Sequence, residues 1–270
     1  MNELNIEEIR KNPELVDWYN ISISQKLSEG FIREFKDKVN WNSISISQKL
    51  SEGFIREFQD KVDWFYISKH QKLSEEFIRE FQDNVNWFYI SKHQKLSEEF
   101  IREFKDKVDW NCISKHQKLS EGFIREFRDN VFWYHISKHQ KLSEEFIKEF
   151  NLEINSDNWL YKPTELKKEY ITNLNMYECY EDYFIAYKGI RSDRYSNYNF
   201  QYQYLIGKTY ESHCDCTSDE NSFGLSVWTE EKAKAYCNEL IIKVKVKYED
   251  VGRVVHNNGK IRCFRFEVLD

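Results

Sequence analysis

Proline is nearly absent and glycine is scarce, at 2 and 8 of 270 residues, which excludes a Pro/Gly-rich disordered chain. No apolar run approaches the ~18 residues of a transmembrane helix, and the opening MNELNIEEIR is acidic, unlike a signal peptide. Excess positive charge is missing too. The net charge is −6, and residues 1–159 carry 24 basic and 29 acidic side chains, leaving 16 and 17 for the remainder. Neither half is basic, which argues against a nucleic-acid partner. Cysteine is rare before residue 175, where only Cys112 stands; Cys179, Cys214, Cys216, Cys237 and Cys263 follow. Without a secretory segment these read as reduced thiols of an intracellular protein. What is abundant is aromatic side chain, 17%, and charge, 32%, a composition that folds.

The order comes from a repeat. The motif I-S-x-x-Q-K-L-S-E begins at Ile21, Ile44, Ile67, Ile90, Ile113 and Ile136, always 23 residues apart. A degenerate half-copy precedes it, with Ile9, Val16 and Trp18 in register, and the last copy frays, with Ile154 at the valine position but Ser156 at the tryptophan. Atypical end copies mark a capped array.

Within a copy, Leu27, Phe31, Ile32, Phe35 and Val39 fall within an arc of ~140° on a helical wheel, with Glu29, Arg33, Glu34, Lys36 and Asp37 filling the rest. Ser28 caps this helix, Glu29 sits at its positive end and Lys36 and Lys38 at its negative end. Asn40, or Asp63 and Asp109 in later copies, caps a shorter helix carrying Trp41, Ile44 and Gln48. A single continuous helix is rejected because a 23-residue step overshoots whole turns by ~140°, so its apolar stripe would wander around the rod. Residues 1–160 are therefore expected to form an α-solenoid of short helix pairs, with Trp64, Trp87, Trp110 and Trp133 as rungs of a buried ladder.

Surface positions must also stack. Lys69, Lys92, Lys115 and Lys138 make one row, and His70, His93, His116 and His139 another. Rungs ~10 Å apart cannot share a metal ion, whose bonds are ~2 Å, so the expectation is a solvated polar face. Arg56, Arg79 and Arg102 are each followed by glutamate, a charge-balanced ridge and not a phosphate track. Near-identical copies imply a uniform surface suited to spacing or display.

Periodicity stops near residue 160. Residues 161–270 read as a small α+β domain: a helix from Thr164 (its cap) to about Asn173, and strands at Asp182–Ile190, Phe200–Ile206 and Phe223–Trp228. A Thr229-capped helix to Glu239 follows, then the alternating Ile242–Lys247. An Asn258-Gly259 turn joins Arg253–His256 to Ile261–Val268.

The densest cluster of reactive side chains is His213-Cys214-Asp215-Cys216, with Cys237, His256 or Cys263 able to complete a metal site. Adjacent positions cannot all face one ion and no C-x-x-C pair exists, so no metal is expected; His213, Cys214 and Cys216 are the alternative ligands. No Gly-rich phosphate loop, G-x-S-x-G elbow or H-E-x-x-H is present.

The repeat I-S-x-x-Q-K-L-S-E-x-F-I-R-E-F-x-D-x-V-x-W resembles 23-residue repeats in uncharacterised proteins of giant, mimivirus-like viruses and some phages. Tyr187-Lys188-Gly189, Gly207-Lys208-Thr209-Tyr210, Phe223-Gly224-Leu225 and Gly259-Lys260-Ile261-Arg262 resemble a C-terminal domain from the same viral setting. These resemblances imply a viral origin and a host-cytoplasmic location, and no activity. A fainter similarity is to ADP-ribosyltransferase cores, through Tyr187-Lys188-Gly189, the Phe223–Ser226 strand and Glu249. It implies Lys188, Arg191, Ser226 and Glu249 as alternative site residues, although Lys188 stands where that family's anchoring arginine belongs and no Glu-x-Glu is present. The expectation from sequence is a non-enzymatic protein–protein interaction scaffold. It needs no cofactor, touches neither nucleic acid nor membrane, and is a monomer or weak oligomer. The alternative is a C-terminal NAD-binding or metal-binding module.

Overall fold

The computed structural model describes residues 6–155, 157–197, 202–255 and 259–270. Its first part is an α-solenoid of helix pairs with the 23-residue period, followed by an antiparallel sheet domain. The chain divides into two units, one ending at Gln94 and one running from Lys95 to Asp270. The first unit holds copies one to four of the tryptophan helix, and the second holds copies five and six together with the sheet.

Each copy contains two helices of about the same length. The tryptophan helix has seven residues, as in Trp41–Ser47 and Trp64–His70. The Ser-capped helix has six, as in Glu52–Glu57, whose Ser51 hydroxyl accepts the Phe54 amide at 3.1 Å. The expected longer amphipathic helix therefore stops early: after Glu34 the chain tightens into turns, with Lys38 and Val39 donating to the Phe35 carbonyl. The reason lies in the indole that follows. Trp41 Nε1 donates to the Lys36 carbonyl at 2.8 Å, and Trp64 does the same to Gln59 at 3.1 Å, so the turn must present that carbonyl to the ring. The indoles cover phenylalanine pairs (Trp41 on Phe54 and Phe58, Trp64 on Phe77 and Phe81) and are half-buried. The tryptophans thus form a lid over the core and not the buried ladder expected; the interior belongs to Phe54, Ile55, Ile67, Phe77 and their equivalents.

Helices this short cannot hold themselves in water. Within each unit, tryptophan helices pack on those of adjacent copies, and a buried glutamine ties the pair together. Gln71 Oε1 accepts the Leu50 amide at 3.1 Å, and its Nε2 donates to the carbonyls of Gln48 at 2.8 Å and Ser45 at 3.5 Å. Gln48 binds Leu27, Gln25 and Ser22 in the same way, and in the second unit Gln140 binds Leu119, Gln117 and Ser114. Serines add to the seam: Ser45 Oγ accepts the Asp63 amide and donates to the Trp41 carbonyl. Outside runs the charge-balanced ridge, Arg33 on Glu57 and Arg56 on Glu80, both at 2.7 Å. These guanidiniums also lie over Phe54 and Phe77 at 5.0 Å.

After copy six the glutamine role passes to Tyr161, whose hydroxyl accepts the Leu142 amide at 3.3 Å and donates to the Gln140 carbonyl at 3.0 Å. Tyr161 also packs against the core of the sheet domain, so one side chain ends the stack and begins the next fold. Ser156, the substituted tryptophan position, lies outside the described residues.

The described strands are β1 (Glu178–Cys179), β2 (Tyr183–Ile190), β3 (Thr209–Glu211), β4 (Leu225–Trp228), β5 (Leu240–Lys247), β6 (Val251–Val255), β7 (Lys260–Cys263) and β8 (Arg265–Val268). Their order is β3-β8-β5-β2-β4-β7-β6, with β1 on β2 and every pairing antiparallel. The Ile261–Val268 strand expected from sequence is two strands divided at Phe264: β7 pairs β4 and β6, whereas β8 pairs β5 and β3. Phe200 lies outside the described residues, and 202–206 forms only an isolated bridge, Gln203 to Tyr195. Asn258 and His256 are likewise outside, but the strands they flank do pair. Helix Thr164–Asn173 starts after Pro163 with no side-chain cap, so Thr164 is its first residue and not its cap; Thr229 does cap Glu230–Tyr236.

Replacing Gln71 by leucine keeps the volume and strands the Leu50 amide and Gln48 carbonyl, each costing about 1–3 kcal/mol when buried. Urea unfolding of Gln71→Leu should therefore show a loss of about 2–5 kcal/mol, against less than about 1 kcal/mol for Arg56→Ala on the exposed ridge.

Candidate functional site

Copies five and six carry the helices Trp110–His116 and Trp133–His139, which present His116 and His139 at equivalent positions. The loop between β3 and β4 comes to these two histidines. Phe223 places its ring 4.3 Å from that of His116 and 5.8 Å from that of His139, bridging the gap between successive copies. His213 also stacks on Phe223, at 5.5 Å. His139 Nδ1 stands 3.4 Å from Asp215 Oδ1, and both side chains are shut away from water. The solvated polar face expected from the histidine row is therefore covered here: His139 is 2% exposed, and His70, His93 and His116 are half-buried.

Asp215 is the anchor of the loop. Its carboxylate accepts from the Ser222 hydroxyl and, at 2.9 Å, from the Thr217 amide. Burial pushes its pKa up, but these donors and the His139 ring overcome that and hold it well below the usual carboxylate range. Arg262, on β7 and fully buried, lies 3.8 Å from the same carboxylate and donates to the carbonyls of Asp215 at 2.9 Å, Thr217 at 3.3 Å and Asp219. Two glycines make room: a Cβ on Gly252 would collide with Cys214 Sγ, and Gly224, at φ +119, approaches both Cys214 and Arg262. Burial lowers the His213 pKa to about 4 and also lowers that of His135 on the adjoining helix. The chemistry present is that of a buried, polar docking joint.

The sequence-derived candidates are placed as follows. His213, Cys214 and Cys216 are neighbours in this loop but do not converge. Cys214 Sγ donates to the Asp215 carbonyl at 3.6 Å and Cys216 Sγ to the Cys214 carbonyl at 3.7 Å. Among the described residues no three His, Cys, Asp or Glu side chains are grouped to hold a metal ion; His256 lies outside them. Cys237 and Cys263 likewise donate to the carbonyls of Ile190 and Leu225, and all six cysteines are free thiols.

Lys188 is buried on β2, where its Nζ donates to the Ser226 carbonyl at 3.0 Å and lies 5.4 Å and 5.3 Å from the Tyr204 and Trp228 ring centroids. Burial lowers its pKa to about 8. Arg191 follows the end of β2 and pairs with Asp193 at 3.1 Å. Glu249 lies beyond the opposite end of that strand. Lys188 faces Ile242 across the sheet, and Glu249 comes two residues after Lys247, ~16 Å farther along β5. Glu249 is exposed and pairs with Lys247 at 3.5 Å. The structure thus brings Lys188 to Ser226 and leaves Glu249 apart.

Phe223, Asp215 and Arg262 as joint residues are what sequence reasoning missed. A usable signal was the row of histidines at the 23-residue spacing. No protein-family model, curated protein or solved structure matches the chain.

The joint has a pH signature. His213 stays neutral in the fold down to about pH 4, whereas an unfolded histidine takes a proton near pH 6.5. The unfolded chain therefore binds more protons between these values, and stability falls as pH drops through that window. His93, its pKa lowered to about 4, acts with the same sign. His213→Gln should reduce the slope of unfolding free energy between pH 6 and pH 5 by up to one proton, about 1.4 kcal/mol per pH unit. An unchanged slope in urea titrations would show that the folded ring already carries the charge.

Proposed function

We propose that this chain is a non-enzymatic interaction scaffold, of the viral type its repeats resemble, that binds protein through the faces of its tryptophan helices. The observation that carries this reading is internal. Copies five and six already use that face to hold a loop, with Phe223 set between His116 and His139 and Asp215 against His139. The separation of Glu249 from Lys188 supports it further, because a transferase of the kind the sequence resembles would need a carboxylate beside the nicotinamide end of NAD. The protein partner is a macromolecule, not a small molecule, and the scaffold acts without a cofactor.

The test uses the full chain. Incubated with a lysate and adenine-labelled NAD, it should transfer no label, and it should form a saturable complex with a purified partner that neither NAD nor a chelator weakens. Label transfer abolished by Glu249→Gln, an exposed and fold-neutral change, would replace the scaffold with an enzyme.

A further inference from the structure

The tryptophan helices are not uniform, contrary to the uniform surface expected from the repeat. Copies one and two read WYNISIS and WNSISIS; copies three and four both read WFYISKH. Copies five and six read WNCISKH and WYHISKH, so copies three and four differ by placing a Phe-Tyr pair one turn before the lysine and histidine. Phe65 and Phe88 are 42% and 45% exposed. Phe65 meets Tyr89 of the next copy edge-on at 4.7 Å, and Lys69 reaches over the same Tyr89 at 5.6 Å, so the two copies build one continuous patch. Tyr66 stacks on His70 at 6.1 Å and Tyr89 on His93 at 5.7 Å, which holds the rings upright. Lys92 lies 5.7 Å over Phe88. Neither helix contains an acidic residue, and His93 feels the positive charge of Lys92, His70 and Lys69.

We infer that this patch is a docking site for an acidic peptide segment that carries an aromatic ring. The inference rests on the scaffold reading and specifies its partner. Two features select this occupant. The first is charge: the patch offers two ammonium groups beside exposed rings, a surface complementary to carboxylates and to a further π face. The second is the chain's own precedent. At the equivalent helix positions of copies five and six the docked segment is 213–223, His-Cys-Asp-Cys-Thr-Ser-Asp-Glu-Asn-Ser-Phe, with its phenylalanine between histidines and a carboxylate beside one of them. Copies three and four repeat the histidine position that receives it, each preceded by a lysine, and add the Phe-Tyr pair. The partner binds with its aromatic ring between His70 and His93 and its acidic groups toward Lys69 and Lys92.

The experiment is selection of a random twelve-residue peptide library displayed on phage against the full chain, followed by solution binding of the enriched peptides. The expected result is enrichment of peptides that combine Asp or Glu with Phe, Tyr or Trp, and at least a tenfold weakening by Phe65→Ser with Phe88→Ser and by Lys69→Glu with Lys92→Glu. The phenylalanines are exposed, so circular dichroism and urea unfolding should confirm that the variants remain folded. No enrichment, enrichment of basic or non-aromatic peptides, or binding that survives both pairs of substitutions would overturn the inference. If a purified partner still binds the Phe65→Ser, Phe88→Ser chain with full affinity, the scaffold reading stands and this site falls.

Discussion

The tryptophan helices at Trp41 and Trp64 close on glutamines whose side chains have no water to turn to, so the amide must be satisfied by the copy before. Helices of six or seven residues leave most of their end groups without intrahelical partners. The seam meets that demand: Gln71 takes the Leu50 amide and gives to two carbonyls, Ser45 takes the Asp63 amide, and Glu29 takes the Ser51 amide. A lone copy would expose these groups and could not bury Phe54, Ile55 and Ile67. Stacking is thus a condition of folding. The same demand explains Tyr161, which supplies the hydroxyl that the missing seventh glutamine would have supplied as amide.

The repeat's outer face then becomes free to vary. Positions two, six and seven of the tryptophan helix diverge between copies, from Tyr or Asn, Ile and Ser in the first two to Phe, Lys and His in the middle pair. In copies five and six this face receives the β3–β4 loop, held in shape by the fully buried Arg262 and Asp215. Removing one member of such a buried pair is expected to cost about 3–5 kcal/mol because the other is left charged and unpaired.

Legibility in the sequence follows the same division. The 23-residue spacing, the caps at Ser28 and Asn40 and the burial of Phe31 and Ile32 are readable because each is a local consequence of side-chain type. The half-burial of the tryptophans is not, because it depends on the indole finding the carbonyl five residues back. In the sheet domain, β2 and β5 are visible as apolar or alternating runs, whereas the division at Phe264 depends on strand partners far away in sequence. The joint was the least legible part. His213, Cys214 and Cys216 stand out as metal-binding types, yet the cysteines donate to carbonyls, and Asp215 between them does the organising.

Amide hydrogen exchange tests the seam most directly. The account predicts strong protection of the Leu27, Leu50 and Leu119 amides, which donate to Gln48, Gln71 and Gln140 although they sit in turns and not in helices. In a Gln48→Leu chain, the Leu27 amide should exchange at least tenfold faster while Leu119 keeps its protection. Exchange of these leucine amides at the rate of exposed turns, or a Leu27 amide indifferent to the loss of Gln48, would contradict it.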